Sequence, residues 1–516
     1  MLQYLLMSLP FLAVSIFGFG CHSLQELPRG VAREFLPDSA QQYVEFLASD
    51  ELQGRGTPSP GLLRAAVYIA DAFRRWGLQP LGKNYWHEYE LVRRDLCRDS
   101  LRLRIWRGGT PWEAAIPEQA VPHAITGAGR YERAPLLFLG GEEVDTSEFR
   151  ALSSRLQGAV VVLTTYRQER RGADTTRKQT APSRLSLRER VRLLHRYGVV
   201  GVLLSEYPEP GRSLRPQRFP WPALSSLSVQ VLPWQLAQSD TDMPVVYSIG
   251  EDAIAAIFGS VDAFRERVYR ADTVKSLVIE SLPGVFADGA LAFEVKERTS
   301  VPNVVGIIRG RRHPEQYVLI GAHYDHVGVI AAPNSRDSIY NGADDNASGT
   351  AGLLLIARAL GQWRRPPERS IVLVAFSGEE KGLIGSQAFV KSSPLPLQNC
   401  LAMLNLDMIG RNHPDSLSIG VREEWLRKLV EQENQRLKSP FLLGREAEEF
   451  FGRSDHAVFA ARGIPAVFFF TGLHEDYHRP SDHADKINYD KLSRVALLAA
   501  RVAWQIAQQG KELMVP

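Results

Sequence analysis

Five separated stretches of the chain each carry a side chain able to hold a divalent cation. They are Gly321-Ala-His-Tyr-Asp-His326, Gly342-Ala-Asp-Asp-Asn-Ala-Ser-Gly349, Phe376-Ser-Gly-Glu-Glu-Lys-Gly382, Leu404-Asn-Leu-Asp-Met408 and Asp476-Tyr-His-Arg-Pro480. Imidazole and carboxylate donors from stretches so far apart can meet only through the fold. An N/O donor set of this kind suits zinc, with cobalt or manganese able to take its place in vitro. His323, Glu379 and Asp407 each fall just past an apolar run. His323 and Asp325 are two residues apart, so in extended backbone both point the same way. Asp325 is therefore expected to accept the other ring N–H of His323 and fix its tautomer.

The elements that must position these residues follow from apolar patterning. From Asn303 onward, Tyr317–Gly321, Ile371–Phe376, Leu401–Leu406 and Ala466–Phe470 are near-continuous apolar runs, as expected of strands buried on both faces. Between and after them, Ala347–Leu360, Glu423–Leu437 and Tyr489–Gln508 have helical period. This alternation predicts an α/β fold with a doubly wound, largely parallel sheet and flanking helices. Ligands of such sheets gather at the carboxyl ends of strands, where His323, Glu379 and Asp407 fall. Upstream, Ser39–Gly77 reads as helix, loop, helix, with Gly77 as the stop.

From about Leu101 to Gly250 the pattern changes to short β runs: Ala134–Leu139, Ala159–Leu163, Val199–Leu204 and Pro244–Ser248, with a helix over Arg188–Tyr197. Gly and Pro cluster from Pro208 to Pro222, which predicts loops. A separate small mixed α/β domain is expected here, closing through a helical stretch over Asp252–Tyr269. The expected division is a leader over 1–21, the first part of the main domain over 22–105, the inserted domain over 106–269 and the remainder over 270–516.

A chain of 516 residues exceeds one typical core. Its 61 basic and 58 acidic residues nearly balance, which gives no electrostatic footprint for nucleic acid. The basic run Arg167–Gly172 reads as a solvated face. Leu2–Phe19 is strongly apolar, short for a membrane span and interrupted by Pro10 and Gly18, so an export signal is expected. Cys21 after Gly18-Phe-Gly20 resembles a bacterial lipid-attachment site, although no Lys or Arg precedes the run and Gly18 stands where Leu is usual. A periplasmic, membrane-anchored or secreted location follows. The three cysteines, Cys21, Cys97 and Cys400, make neither a disulfide framework nor a thiolate zinc site. With Cys21 lipidated, Cys97 and Cys400 could pair, but beside the apolar Leu401–Leu404 Cys400 is expected to be a buried free thiol.

These motifs resemble the family-28 zinc metallopeptidases, the bacterial aminopeptidase type with two co-catalytic zinc ions. The resemblance extends to Leu47-Ala-Ser-Asp-Glu-Leu-Gln-Gly-Arg-Gly56, Ala70-Asp-Ala-Phe-Arg-Arg-Trp-Gly77, Gly452-Arg-Ser-Asp-His456 and Pro480-Ser-Asp482. The intervening region looks like the protease-associated domain inserted in many such enzymes. The resemblance implies a zinc exopeptidase fold and two Zn2+ ions per chain. His323 and Asp407 would bind one ion, Glu380 and His478 the other, and Asp345 would bridge them.

The resemblance also gives Glu379 as general base to a metal-bound hydroxide and Tyr477 as an oxyanion-stabilising residue. Peptide substrates are the implied partners. Carboxypeptidase or dipeptidase action on the same fold stays open, with glutaminyl cyclisation or a non-catalytic receptor-like ectodomain less favoured. Asp455 and His456 are expected to line the substrate pocket or order a loop. His326 is expected to be merely polar or to sit behind the ligands, because one strand cannot easily aim both His323 and His326 at one ion. His478 is chosen over His474 on the family pattern, and His483 reads as a capping or surface residue.

Overall fold

A computed structural model describes residues 26–141, 150, 153–165, 185–217, 219, 221–224, 233–237, 243–274, 277–330 and 337–510. The apolar leader, Cys21 and the Arg167–Gly172 run lie outside the described residues. The chain divides into two compact units, Met1–His87 with Asn303–Pro516, and Glu88–Pro302.

In the unit that carries the candidate ligands, two longer helices follow a single helical turn at Arg29–Ala32. Helix α1 (Pro37–Leu47) starts on a proline with Asp38 in its first turn, and buries Ala40, Tyr43, Val44 and Leu47 at helical spacing. Helix α2 (Pro60–Arg75) is capped by Ser59, whose side chain accepts from the Leu62 N–H. Just past it, Gly77 takes a left-handed φ of 79°. A 3-10 segment over Asp50–Arg55 lies between the two helices.

The sheet follows as β1 (Phe293–Ile308), β2 (His313–His323), helix α3 (Gly349–Gly361) and β3 (Arg369–Phe376). Then come helix α4 (Ile384–Ser392), β4 (Cys400–Leu406), β5 (Ser416–Val421) and helix α5 (Glu424–Gln435). Last are β6 (Leu442–Gly444), helix α6 (His456–Ala460), β7 (Ala466–Phe470) and helix α7 (Tyr489–Gln509). Among these seven strands the order is β6-β5-β7-β4-β2-β3-β1.

Strands β3, β2, β4 and β7 run parallel, while β1 is antiparallel to β3 and β5 to β7. The sheet is therefore mixed, with a parallel centre and reversed flanks. The reason lies in the connections: parallel neighbours need long crossovers, but β1–β2 and β4–β5 are joined by segments too short for a helix. The apolar runs expected as strands form this parallel centre. In it Tyr317, Leu319, Val372, Val374 and Phe376 pack with Phe389 of α4 and Phe459 of α6.

The second unit has its own sheet. Gly129–Gly140, Val160–Thr164, Gly201–Ser205 and Val245–Ile249 are parallel neighbours in that order. Val278–Leu291, Arg102–Arg107 and Pro111–Glu113 extend it antiparallel on one side, and Ala120–Pro122 on the other. Helices Leu187–Arg196, Glu251–Phe258 and Val261–Asp272 accompany it, the first opened by a capping box between Ser186 and Glu189. The expected boundaries after 105 and 269 fall inside this unit. Arg102–Arg107 and Val278–Leu291 pair with each other, a non-local match that local patterning does not reveal. Cys97 and Cys400 are both free, and Cys400 is buried. Among the described residues no helix is long and apolar enough to cross a membrane.

Candidate metal centre

Three strand ends and two loops bring the donors together. His323 is the last residue of β2, in register with Phe376 at the end of β3. Glu379 and Glu380 follow three and four residues past β3, and Asp407 directly follows β4. Parallel strands ending at one level thus deliver three of the five motifs to one edge, as the topology of open α/β sheets requires.

Asp345 comes from the turn Ala343–Ser348 ahead of α3. That turn is fixed from both sides. The backbone N–H groups of Asp344 and Asp345 donate to Asp482 Oδ2 at 2.9 and 3.1 Å. Asn346 Nδ2 donates to the Leu406 carbonyl at 2.9 Å, and its Oδ1 accepts from Met408 N–H at 3.1 Å. Asn346 so ties the Asp345 turn to the strand end that carries Asp407. His478 sits in the loop after β7 with a left-handed φ of 53°.

The donors form two groups, His326 with Asp345, Glu380 and His478, and His323 with Glu379 and Asp407, each with its ligand atoms within 4.8 Å of one another. Asp345 joins them. Its Oδ1 is 3.4 Å from His323 Nε2, and its Oδ2 is 3.1 Å from His478 Nε2. Asp407 Oδ1 is also 3.4 Å from His323 Nε2, and Glu380 Oε2 is 3.1 Å from His478 Nε2. All five expected ligands converge. His323 and Asp345 are buried, while the His478 side chain is 38% exposed and marks the open side.

His326 lies against the proposed ligand Glu380. Its Nδ1 is 2.8 Å from Glu380 Oε1, and it is fully buried. The strand ends at His323, so the two histidines do not face the same donor group, as the spacing led one to expect. The chain turns through Tyr324 and Asp325, so His326 reaches the other donor group. The spacing of three residues past a strand end was the available signal.

Asp325 also departs from expectation. His323 Nδ1 lies 3.2 Å from the Asp325 backbone carbonyl but 3.7 Å from its carboxylate, beyond hydrogen-bond length. The carboxylate instead accepts from Glu379 N–H at 3.1 Å and from the Thr57 hydroxyl at 3.0 Å. His474 is buried 3.3 Å from Asp344 and belongs to neither donor group, and His483 is on the surface. Tyr477 stacks on the His478 ring at 3.9 Å. Asp455 and His456 are fully buried.

Electrostatics in the site follow from burying many acids beside histidines. Burial alone would lower the His323 pKa, but Asp407, Glu379, Asp325 and Asp345 outweigh it and hold it well above the usual value. His478 is raised to about 10 against burial by hydrogen bonds to Asp345 and Glu380. Asp345, although buried, is held well below the carboxylate range by His326, His323 and His478. Glu379 is pushed well above it by burial, with Asp455, Asp407 and Glu380 adding to that against the pull of His323. Burial likewise raises Asp455 to about 7.

The same carboxylates that stabilise a proton on each imidazole stabilise a divalent cation in its place. Histidine and carboxylate oxygen donors, buried and shared through one bridging acid, fit zinc.

Residues 303–503 match the model of "Peptidase family M28". A protein named "Probable leucine aminopeptidase" from Arthroderma otae is 28% identical over 283 residues, 51% of this chain and 75% of that protein. "Aminopeptidase YwaD" of Bacillus subtilis is 30% identical over 229 residues, 41% of this chain and 46% of the relative. A "Probable zinc metalloprotease" of Pyrenophora teres is 37% identical over 117 residues, covering 22% of this chain and 23% of its own length. Among solved structures, an aminopeptidase from an Aneurinibacillus species aligns with TM-score 0.47 and 21% identity, over 94% of this chain and 98% of that one. Both donor groups lie wholly inside residues 303–503, the stretch of this chain that matches the model of peptidase family M28.

Proposed function

We propose that this peptidase is an exported aminopeptidase that uses two zinc ions to remove residues from the N-termini of peptides. The observation that carries the reading is Asp345, whose two oxygens face two separate donor groups with Glu379 beside one of them. The names of the relatives, aminopeptidases and zinc metalloproteases, support the substrate class.

His323 and Asp407 would hold one ion, Glu380 and His478 the other, with Asp345 between. Such ions would supply Lewis acidity, polarising a peptide carbonyl and lowering the pKa of bound water from about 15.7 to about 7. Glu379 takes the proton of the attacking water on a carboxylate oxygen and returns it to the leaving nitrogen. A carboxylate whose affinity for a proton is raised by burial is suited to both transfers. Tyr477, stacked on His478, offers its hydroxyl to the developing oxyanion. Asp325 holds the backbone beside Glu379.

The unit over Glu88–Pro302 is read as a protease-associated domain that restricts large substrates, and Cys21 as a lipid-attachment site after export. Metabolic labelling with a fatty acid, lost in Cys21→Ser, tests the latter.

The deciding experiment exposes the zinc-loaded protein to a mixed peptide library, free or blocked at either end, and follows products by mass spectrometry. Stepwise loss of N-terminal residues, abolished by N-acetylation, is expected. Cleavage that survives N-acetylation but fails on C-terminal amides would reassign the chain as a carboxypeptidase.

A further inference from the structure

The segment Arg55-Gly56-Thr57 lies outside the stretch matched by the family model, yet it is built into the metal centre. Gly56 forms a parallel bridge with His326, and the His326 N–H donates to the Arg55 carbonyl at 3.3 Å. The Arg55 guanidinium is fully buried and donates to backbone carbonyls at Tyr324, Asn341 and Gly342 at 2.8 to 2.9 Å, and to that of Leu47. It so clamps the segment after His323 to the one that leads into Asp345. Burial lowers its pKa to about 10, which still leaves it charged at neutral pH among Asp325, Asp345, Asp482 and Glu380.

Thr57, 4% exposed, has a narrower task. Its hydroxyl donates to Asp325 Oδ2 at 3.0 Å and accepts from the Gly378 N–H at 3.2 Å. The other oxygen of Asp325 accepts from the Glu379 N–H at 3.1 Å. Hydroxyl, carboxylate and two successive peptide N–H groups thus close a ring around the start of the turn that carries Glu379 and Glu380. Gly378 has a φ of 68°, a conformation open to glycine, and its N–H is fixed by the Thr57 hydroxyl.

We propose that Thr57 is a positioning residue. Through Asp325 and Gly378 it sets the backbone of the Glu379–Glu380 turn, so the N-terminal segment fixes both the base and one ligand without touching substrate. This rests on the role proposed above for Glu379.

The test compares Thr57→Val, which keeps shape and burial but removes the hydroxyl, with Thr57→Ser, which restores it. Five quantities are measured on the full-length protein: thermal stability, kcat and KM on a short peptide, zinc affinity by chelator competition, and amide exchange over residues 376–384 in the metal-free protein. Thr57→Val is expected to lower kcat or zinc affinity by about 10- to 100-fold with little change in KM, and to speed exchange in that turn. Thr57→Ser is expected to stay within about threefold of the parent on each readout.

The proposal is overturned if Thr57→Val keeps kcat, zinc affinity and exchange unchanged. It is equally overturned if Thr57→Ser is as damaged as Thr57→Val, or if losses only track the folded fraction. A parent protein without aminopeptidase activity, whose zinc affinity and turn exchange still respond to the hydroxyl, would remove the functional reading and leave the positioning role standing.

Discussion

Asp345 and Glu379 divide the work at the residue scale. Asp345 faces both donor groups, so under the proposed two-ion reading its loss would remove a ligand from each. Asp345→Ala is expected to lower zinc from two ions per chain to one or fewer, read by metal analysis, and to reduce turnover by at least about 100-fold. Glu379 can be lost without removing any of the five assigned ligands. Glu379→Gln is expected to leave zinc content intact and lower kcat at least about 100-fold, through loss of the proton acceptor. Normal turnover in that variant would end its assignment as the base. The five proposed ligands and this glutamate, which the fold brings together, were readable as motifs in the sequence. The true partners of Asp325 were not, because they come from Thr57 and a backbone N–H far away in the chain.

At the scale of elements, helix α6 opens with His456, whose ring stacks on Phe468 of β7 at 4.5 Å and meets Phe451 edge-on at 4.6 Å. Burial lowers its pKa to about 3, so the folded chain keeps it neutral while the unfolded chain protonates near 6.5. Its contribution to stability is complete above 6.5 and is lost as pH falls from there toward 3. His456→Phe keeps the stack and abolishes the titration. On acidification from pH 6.5 to 4.5 the variant should therefore lose less stability than the parent, by about 1.4 kcal/mol per pH unit at most. Urea unfolding at the two pH values measures this, and an equal loss in both proteins would reject it.

The 3-10 segment before Arg55 carries a second constraint. Gly54 has a φ of 63°, and a Cβ there would come within 2.3 Å of the Tyr340 carbonyl and 2.6 Å of that of Gly328. Gly54→Ala should destabilise the protein by more than about 1 kcal/mol, seen as a lowered Tm. Helices α3, α5 and α7 were legible from their period, while the shorter α4 and α6 were not. The reversed outer strands were not, since apolar runs do not encode direction.

Across the whole molecule, all seven donors lie in one unit, and the insertion leaves and rejoins it at neighbouring points. His87 and Asn303 side chains are 3.2 Å apart, and Val305 N–H donates to the Tyr85 carbonyl at 2.7 Å. Replacing Glu88–Pro302 with a short flexible linker should therefore leave zinc binding intact and short-peptide turnover within about tenfold. Metal analysis and a peptide assay check this, and loss of zinc in a folded product would show that the site needs the second unit. Unchanged digestion of large proteins by the shortened chain would end the idea that the insertion restricts access.

The sequence by itself determined which residues could bind metal, the strands that end beside three of them, and the presence of a second domain. Those properties are local: a donor type, an apolar run, a change of period. Only the tertiary structure decided that His326 packs against Glu380, that Asp325 turns from His323 to the Glu379 backbone, and where the second unit begins. Each depends on where the chain turns and which distant segment packs there, and those contacts leave no periodic trace along the chain.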